Sequence, residues 1–201
     1  SETQTNQTMP QIDIFKELVK YNPKANISAD LNIKEHDGHT DVHGYLNADK
    51  ISLNLNGTRL PESYFHMNSS GHNTVVESDI YISSQEKAQL YSKISHGYKT
   101  KIDLSLKTDK ISFTSIKDFA AALMNSLNIQ NDLASVNTQG GIKADFKIKT
   151  DLKNFESSGF FNISDGALSH KTVPVYINGI SADIDFSDNS VNINKAQAFV
   201  N

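Results

Sequence analysis

From Lys24 onward the chain alternates. Ala25, Ile27, Ala29, Leu31 and Ile33 fall on one side of an extended segment, and Asn26, Ser28, Asp30, Asn32 and Lys34 fall on the other. A period of two marks a strand with one buried face. The same rhythm returns at Ile51, Leu53 and Leu55, at Tyr98, Thr100, Ile102, Leu104 and Leu106, and at Ile180, Ala182, Ile184 and Phe186. Asp37-Gly38, Asn56-Gly57, Asp165-Gly166 and Asn178-Gly179 accept positive φ and predict tight reversals, so the strands read as a string of antiparallel hairpins. A helical period interrupts them twice. Ile12, Phe15, Leu18 and Val19 predict a short helix stopped by Pro23, after an aperiodic lead-in over 1–10. Ile116, Phe119, Ala120, Leu123 and Leu127 predict a helix over 115–130, capped by Ser115 with Asp118 and laying its apolar stripe on the sheet.

The chain also repeats itself. Residues 27–47 slide without a gap onto 142–162, with seven of 21 positions identical: Ile27, Ala29, Asp30, Ile33, Lys34, Gly44 and Asn47 and their counterparts 115 residues on. Leu60-Pro61 then matches Val173-Pro174, and Asn73-Thr74-Val75 matches Asn189-Ser190-Val191, each with a small change of offset. A third copy of the Ile-x-Ala-Asp pattern stands at 180–186. The organisation this predicts is a lead-in and short helix over 1–23, a first β module over 24–114, a helix over 115–130, and a second module over 131–201. The second module is cut short, since its strand pattern is still running at Val200, and the chain reads as a piece of something longer.

In each copy the apolar residues share one face, while Asp30, Asp145 and Asp183 point to the other and read as wet strand residues that discourage mispairing. Apolar faces can bury one another in a sandwich or barrel. Repeated hairpin modules can instead extend one curved sheet whose inner surface is a continuous apolar trough. An apolar fraction of 37% is low for a compact globule and favours the thinner object. The fold expected is mostly β, an elongated, curved antiparallel groove of repeated hairpins with one or two short helices.

Charge and chemistry narrow the function. The net charge is -4, acidic and basic residues are mixed along the chain, and Arg59 is the one arginine, so the basic patch of a nucleic-acid binder is lacking. With no cysteine, thiolate metal sites and thiol nucleophiles are excluded. No run approaches the roughly 18 apolar residues of a membrane span. The stretch EHDGHTDVHG gathers His36, His39 and His43 with Asp37 and Asp41, yet it reads better as a polar hairpin tip than as a metal site. Asp183, Asp185 and Asp188 lack the Gly and closing Glu of a calcium loop. Neither a nucleophile elbow nor a phosphate-cradling loop occurs, so we expect a protein that is not an enzyme and needs no cofactor.

The succession ISFTSIKDFAAALMNSLNI, a polar stretch, then GGIKADFKIKTDLKNFESSGFFNISDGALSH resembles the AsmA-like proteins of Gram-negative envelopes, best over 109–200 and more loosely over 24–108. The related TamB-like proteins share this style of repeat. The resemblance implies a taco-shaped groove, anchored in the inner membrane by a segment outside this chain and crossing the periplasm. It implies passive transfer of phospholipid toward the outer membrane, or assistance to outer-membrane assembly proteins. The lipid-facing positions carry over as a class: Ile27, Leu31, Ile33, Ile51, Leu53, Leu55, Ile102, Leu104, Leu106, Ile142, Phe146, Ile148, Ile184 and Phe186. Two other classes compete: a β-rich adhesin or scaffold module with a closed core and no lipid, and a closed binder of a small ligand.

Overall fold

The computed structural model describes residues 22–36, 39–55, 57–96, 99–188 and 190–201. In chain order the strands are β1 (Lys24–His36), β2 (His39–Ser52), β3 (Asn54–Leu55), β4 (Thr58–Arg59), β5 (Ser63–Gly71), β6 (Asn73–Tyr81), β7 (Lys87–Ser95), β8 (Lys101–Ser112), β9 (Val136–Thr150), β10 (Phe155–His170), β11 (Tyr176–Ser187) and β12 (Ser190–Val200). Ten of them form one antiparallel sheet in simple chain order, and β3 pairs with β4 as a separate hairpin. Among the described residues β1 and β12 are the outermost strands, so the sheet is not closed into a barrel, and nine interstrand steps make it roughly 43 Å across. β8 pairs directly with β9, from Ile102↔Thr150 to Ser112↔Gly141, so the stretches 24–114 and 131–201 share one continuous sheet.

Short reversals join the strands at one end of this sheet. At the other, the connections are longer and carry β3–β4 and the helix α1 (Phe113–Ser126). The helix begins earlier than its apolar period suggests. Its N-cap is Ser112, the last residue of β8, whose hydroxyl accepts the Ser115 N–H at 3.1 Å, so Ser115 is capped rather than capping. Lys117 Nζ and Thr114 Oγ1 donate to the carbonyls of Val136 and Thr138 in β9, at 3.2 and 3.1 Å. Those contacts orient the helix so that Ala122 is its buried residue. Of the expected stripe, Phe119 and Ala120 are half-buried, while Ile116, Leu123 and Leu127 stay exposed. No described helix is long and apolar enough to cross a membrane. The helix expected near Ile12–Val19, the Asp37-Gly38 reversal and Tyr98 lie outside the described residues.

Two expected reversals are something else. Asp165-Gly166 and Asn178-Gly179 lie inside β10 and β11, where the pairing register shifts between Ile163 and Leu168 and between Asn178 and Ser181. Asp165 (φ 55°) and Gly179 (φ 57°) take up the positive φ there. A bulge and a two-residue turn both call for such a residue, so the dipeptide alone cannot separate them. Further bulges fall between Ala48 and Ile51 and between Thr108 and Ile111, also toward the helical end, and each bends its strand and deepens the local twist.

The internal repeat is a repeat of pairing. Nine consecutive pairs of β1–β2, from Ile27↔Ala48 to Glu35↔Thr40, recur 115 residues on in β9–β10, from Ile142↔Ile163 to Thr150↔Phe155. At Gly44 and Gly159 an added Cβ would stand 1.8 Å from the Asp30 carbonyl oxygen and 2.1 Å from that of Asp145, with φ at +122° and +155°. The close approach explains why both copies keep a glycine here. Beyond it the offset grows. Ser70↔Asn73 closes β5–β6 and Ser187↔Ser190 closes β11–β12, so Asn73 corresponds to Ser190, not to Asn189 as the identity of the residues suggests. A slip of one residue would have exchanged the two faces.

Among the described residues the buried apolar side chains are Leu55, Ile111, Ala122, Ala144 and Ala167. Among the described residues no second layer covers the sheet except at its helical end, where α1 lies against β9, β8 and β3.

Candidate functional site

Residues directly opposed across antiparallel strands share a face, so the pairing register can be followed from edge to edge. One row runs Ile27, Ala48, Phe65, Ser78, Leu90, Leu106, Phe146, Gly159, Phe186, Val191 and crosses all ten strands. Parallel rows flank it, such as Leu46, Met67, Val76, Ser92, Leu104 and Ile148, and Thr108, Ala144, Phe161, Ile184 and Ile193. The result is a single apolar surface as wide as the sheet.

The register brings together most of the positions expected to face a groove. Ile27, Leu31, Ile33, Ile102, Leu104, Leu106, Ile142, Phe146, Ile148, Ile184 and Phe186 lie on this surface, and Ile51 stays on it beyond its bulge, opposite Ser63. Leu53 and Leu55 do not belong. β2 ends at Ser52, Leu53 spans to the next hairpin with its carbonyl held by the Leu60 N–H at 2.9 Å, and Leu55 is 3% exposed in β3, which packs against α1. Alternation ran on through a break that only the separate hairpin reveals.

Sequence reading missed the centre of the surface, namely Phe65, Met67, Val76 and Leu90 in β5–β7. Their apolar period is broken by Ser69, Thr74, Ser78 and Ser92, which share the face and are buried. Several of these hydroxyls are occupied. Ser69 and Thr74 bond to each other at 2.8 Å, Ser78 donates to the Tyr64 carbonyl at 2.7 Å, and Thr108 accepts the Ala144 N–H at 2.9 Å. Small side chains with internal partners form a low floor between longer apolar neighbours without presenting a free polar group.

The surface deepens between β7 and β12 into a cavity of about 410 Å³, walled by Leu90, Leu104, Leu106, Phe146, Ile148 and Phe186. That lies within the range of about 300–1,000 Å³ usual for pockets that hold small molecules. Phe146 and Phe186 stack with centroids 5.1 Å apart. At the edges the same surface is open: Ile27 is 71% exposed, Ile33 66%, Val191 64% and Ile193 66%. A second depression of about 400 Å³ is lined by charged and polar residues, Lys101, Asp103, Lys149, Thr150, Asp151, Asn154 and Glu156.

The other face is polar. Asp30, Tyr45, Asn68, Val75, Lys93, Asp103, Lys149 and Glu156 form one of its rows, with charges of opposite sign opposed from Lys93 to Glu156. Asp145 and Asp183 lie on this side too. Asp79 is buried here and held by Lys87 Nζ and, at 3.3 Å, by Gln89 Nε2. Its hydrogen bond raises the Lys87 ammonium above the usual lysine range. At Glu86 burial pushes the carboxyl up, but hydrogen bonds from Ser115, Ser112 and Ser83 together outweigh it and hold the group below an ordinary glutamate.

The metal candidates do not assemble. Among the described residues no three His, Cys, Asp or Glu side chains could share an ion. His43 accepts the Gly71 N–H and Asp41 meets His72 at 3.1 Å, while Asp37 and the side chains of His36 and His39 lie outside the described residues. Asp185 accepts from Asn194 at 2.6 Å and Asp188 from the Ser157 N–H at 3.3 Å, each engaged separately. No family model, no curated protein and no solved structure matches the chain.

Proposed function

We propose that this chain is a piece of a periplasmic lipid-carrying β-groove, AsmA-like or TamB-like, that holds phospholipid acyl chains on its apolar face. The observation that carries this reading is the row from Ile27 to Val191, which crosses the sheet and, among the described residues, is covered by no second layer. Each buried methylene is worth about 0.8 kcal/mol, so a 16-carbon tail in water costs on the order of 12 kcal/mol, and a gapless trough removes that cost at every position along it. Similar neighbouring sites let a tail slide, and the headgroup stays at the open rim. Transfer is passive and involves no catalysis. The inner-membrane anchor belongs to a segment outside this chain, and outer-membrane assembly proteins are the protein partners of the reading.

The competing adhesin or scaffold module needs its apolar faces closed, and a closed small-ligand binder needs a walled cavity. The five buried apolar residues favour neither. The deciding experiment is mass spectrometry of lipid extracted from protein purified natively from a Gram-negative host, with binding of a fluorescent fatty acid alongside. Phospholipid should co-purify. Phe146→Asp and Leu104→Asp should weaken fatty-acid binding at least about tenfold while the β circular dichroism persists. Reproducible absence of phospholipid together with no fatty-acid binding would end this reading, and unfolding of both variants would favour a closed core.

A further inference from the structure

The internal repeat builds one backbone row twice and lines it differently each time. In the second copy Phe146, Gly159, Phe186 and Val191 oppose one another in turn across β9, β10, β11 and β12. In the first copy the same row is Leu31, Gly44, Ser69 and Thr74, across β1, β2, β5 and β6. Both glycines lie close against a neighbouring carbonyl, so the floor is equally low in the two copies. The side chains above it decide what each row can accept.

Over Gly159 the missing side chain lets the Phe146 and Phe186 rings stack into one unbroken aromatic wall. Over Gly44 no ring stands on either side. Ser69 and Thr74 are buried and bond to each other at 2.8 Å, and Thr74 also meets His96 Nε2 at 3.2 Å. Such a hydroxyl floor offers a hydrocarbon no wall to lie against. The cavity of about 410 Å³ uses the aromatic wall and completes it with Leu90, Leu104, Leu106 and Ile148. An apolar cavity of about 150 Å³ lined by Leu, Ile and Phe takes up one benzene, so in proportion this one holds about 16 carbon atoms. Its lining turns polar at Ser157, Asp188 and Ser190, beside the β11–β12 reversal, where the two serines already donate to the carbonyls of Asp188 and Ser187. A ligand with one long apolar body and one polar end matches this distribution.

We propose that the cavity is a fixed station for a single acyl chain, its polar end at the β11–β12 reversal, and that the equivalent row at Gly44 holds none. The station rests on the lipid-carrying reading and adds to it one tightly held tail for each copy of this chain. A tail slides along the trough and pauses here.

The chain has no tryptophan, so one introduced indole reports on its own neighbourhood. Ile193 and Ile33 lie on the apolar face, two residues along the strand from Val191 and from Leu31, and each is 66% exposed. Ile193→Trp and Ile33→Trp, stripped of co-purified lipid, are titrated with bromine-labelled palmitic acid, which quenches an adjacent indole. Emission from Ile193→Trp should fall at a concentration at least about tenfold lower than emission from Ile33→Trp, and saturate at one acid per chain. Adding Phe186→Ser, which copies the first repeat, should raise that concentration at least about tenfold. Leu90→Phe should do the same by crowding the cavity from another strand without removing a packed ring, so a fold disturbed by the loss of Phe186 cannot by itself imitate the result. Equal quenching of the two reporters, or quenching indifferent to both added substitutions, would overturn the station and leave a uniform lipid-carrying trough standing. Quenching of neither would overturn the station, and together with the absence of co-purified phospholipid it would remove the lipid-carrying reading as well.

Discussion

The rings of Phe146 and Phe186 stack with their centroids 5.1 Å apart although β10 runs between the strands that carry them. Strands two places apart are separated by roughly 9.6 Å, so both side chains lean inward over Gly159, which opposes each of them. The glycine makes the room, and its own backbone position forbids anything larger.

Gly159→Ala should therefore lower unfolding stability by about 1–3 kcal/mol, because a Cβ would meet the Asp145 carbonyl in a conformation that L residues rarely adopt. Urea denaturation measures it. The equivalent Gly44→Ala strikes an edge hairpin, so its cost should appear chiefly as lost hydrogen-exchange protection along β1 and β2, with a smaller change in the urea midpoint. Equal midpoint shifts for the two variants would contradict this division.

Leu55 and Ile27 look alike in sequence and differ in burial, at 3% and 71% exposed. Leu55→Ala should cost about 2–4 kcal/mol by opening a cavity beside α1, whereas Ile27→Ala should stay within about 0.5 kcal/mol. Thermal unfolding of the two variants side by side checks the contrast, and a large loss at Ile27 would mean that the edge of the apolar face is covered.

Thr108 Oγ1 accepts the buried Ala144 N–H at 2.9 Å, where the strand pair is interrupted by a bulge. Thr108→Val keeps the shape and removes the acceptor, which should cost about 1–3 kcal/mol, while Thr108→Ser should restore most of it. Chemical denaturation of the pair separates the hydrogen bond from the packing.

Glu86 reaches from the β6–β7 connection to the start of α1, where its carboxylate accepts from the Ser112 N–H at 3.2 Å and faces the Ser112 hydroxyl at 3.4 Å. Its carboxyl is held below the ordinary value, so its contribution is present above the unfolded value of about 4.3 and is lost as pH falls through the lower, folded one. The stability difference between the native chain and Glu86→Gln should be flat above about pH 5 and shrink below about pH 4.3. Urea midpoints of both proteins from pH 3 to pH 7 provide the measurement, and a difference that grows on acidification would reverse the sign.

Much of the apolar surface was legible because a period of two leaves little choice: once a strand forms, Leu104 and Leu106 must share a side, as must Phe146 and Ile148. It failed where small hydroxyl residues stand in for apolar ones. Ser78 and Ser92 hid β6 and β7: the Ser78 hydroxyl bonds to the Tyr64 carbonyl, a serine so bonded sits on an apolar face at little cost, and composition does not record that bond. The helix was legible as a helix, but its contacts were not. Ile116, Leu123 and Leu127 make a stripe that helical periodicity assigns to a partner, and the carbonyls of Val136 and Thr138, about twenty residues away along the chain, orient the helix differently.

By itself the sequence determined the strand faces, the mixed charge, and a repeat whose period of 115 residues survives as an identical pairing register. These are local properties, set by alternation and by the residues a close backbone approach tolerates. Only the tertiary structure decided that Asp165-Gly166 and Asn178-Gly179 bend strands instead of ending them, that Leu55 leaves the apolar face for a place against α1, and that no other described element covers this face away from the helical end. Those outcomes depend on which partner each strand meets across the sheet, and a positive φ or an apolar side chain serves either partner equally well.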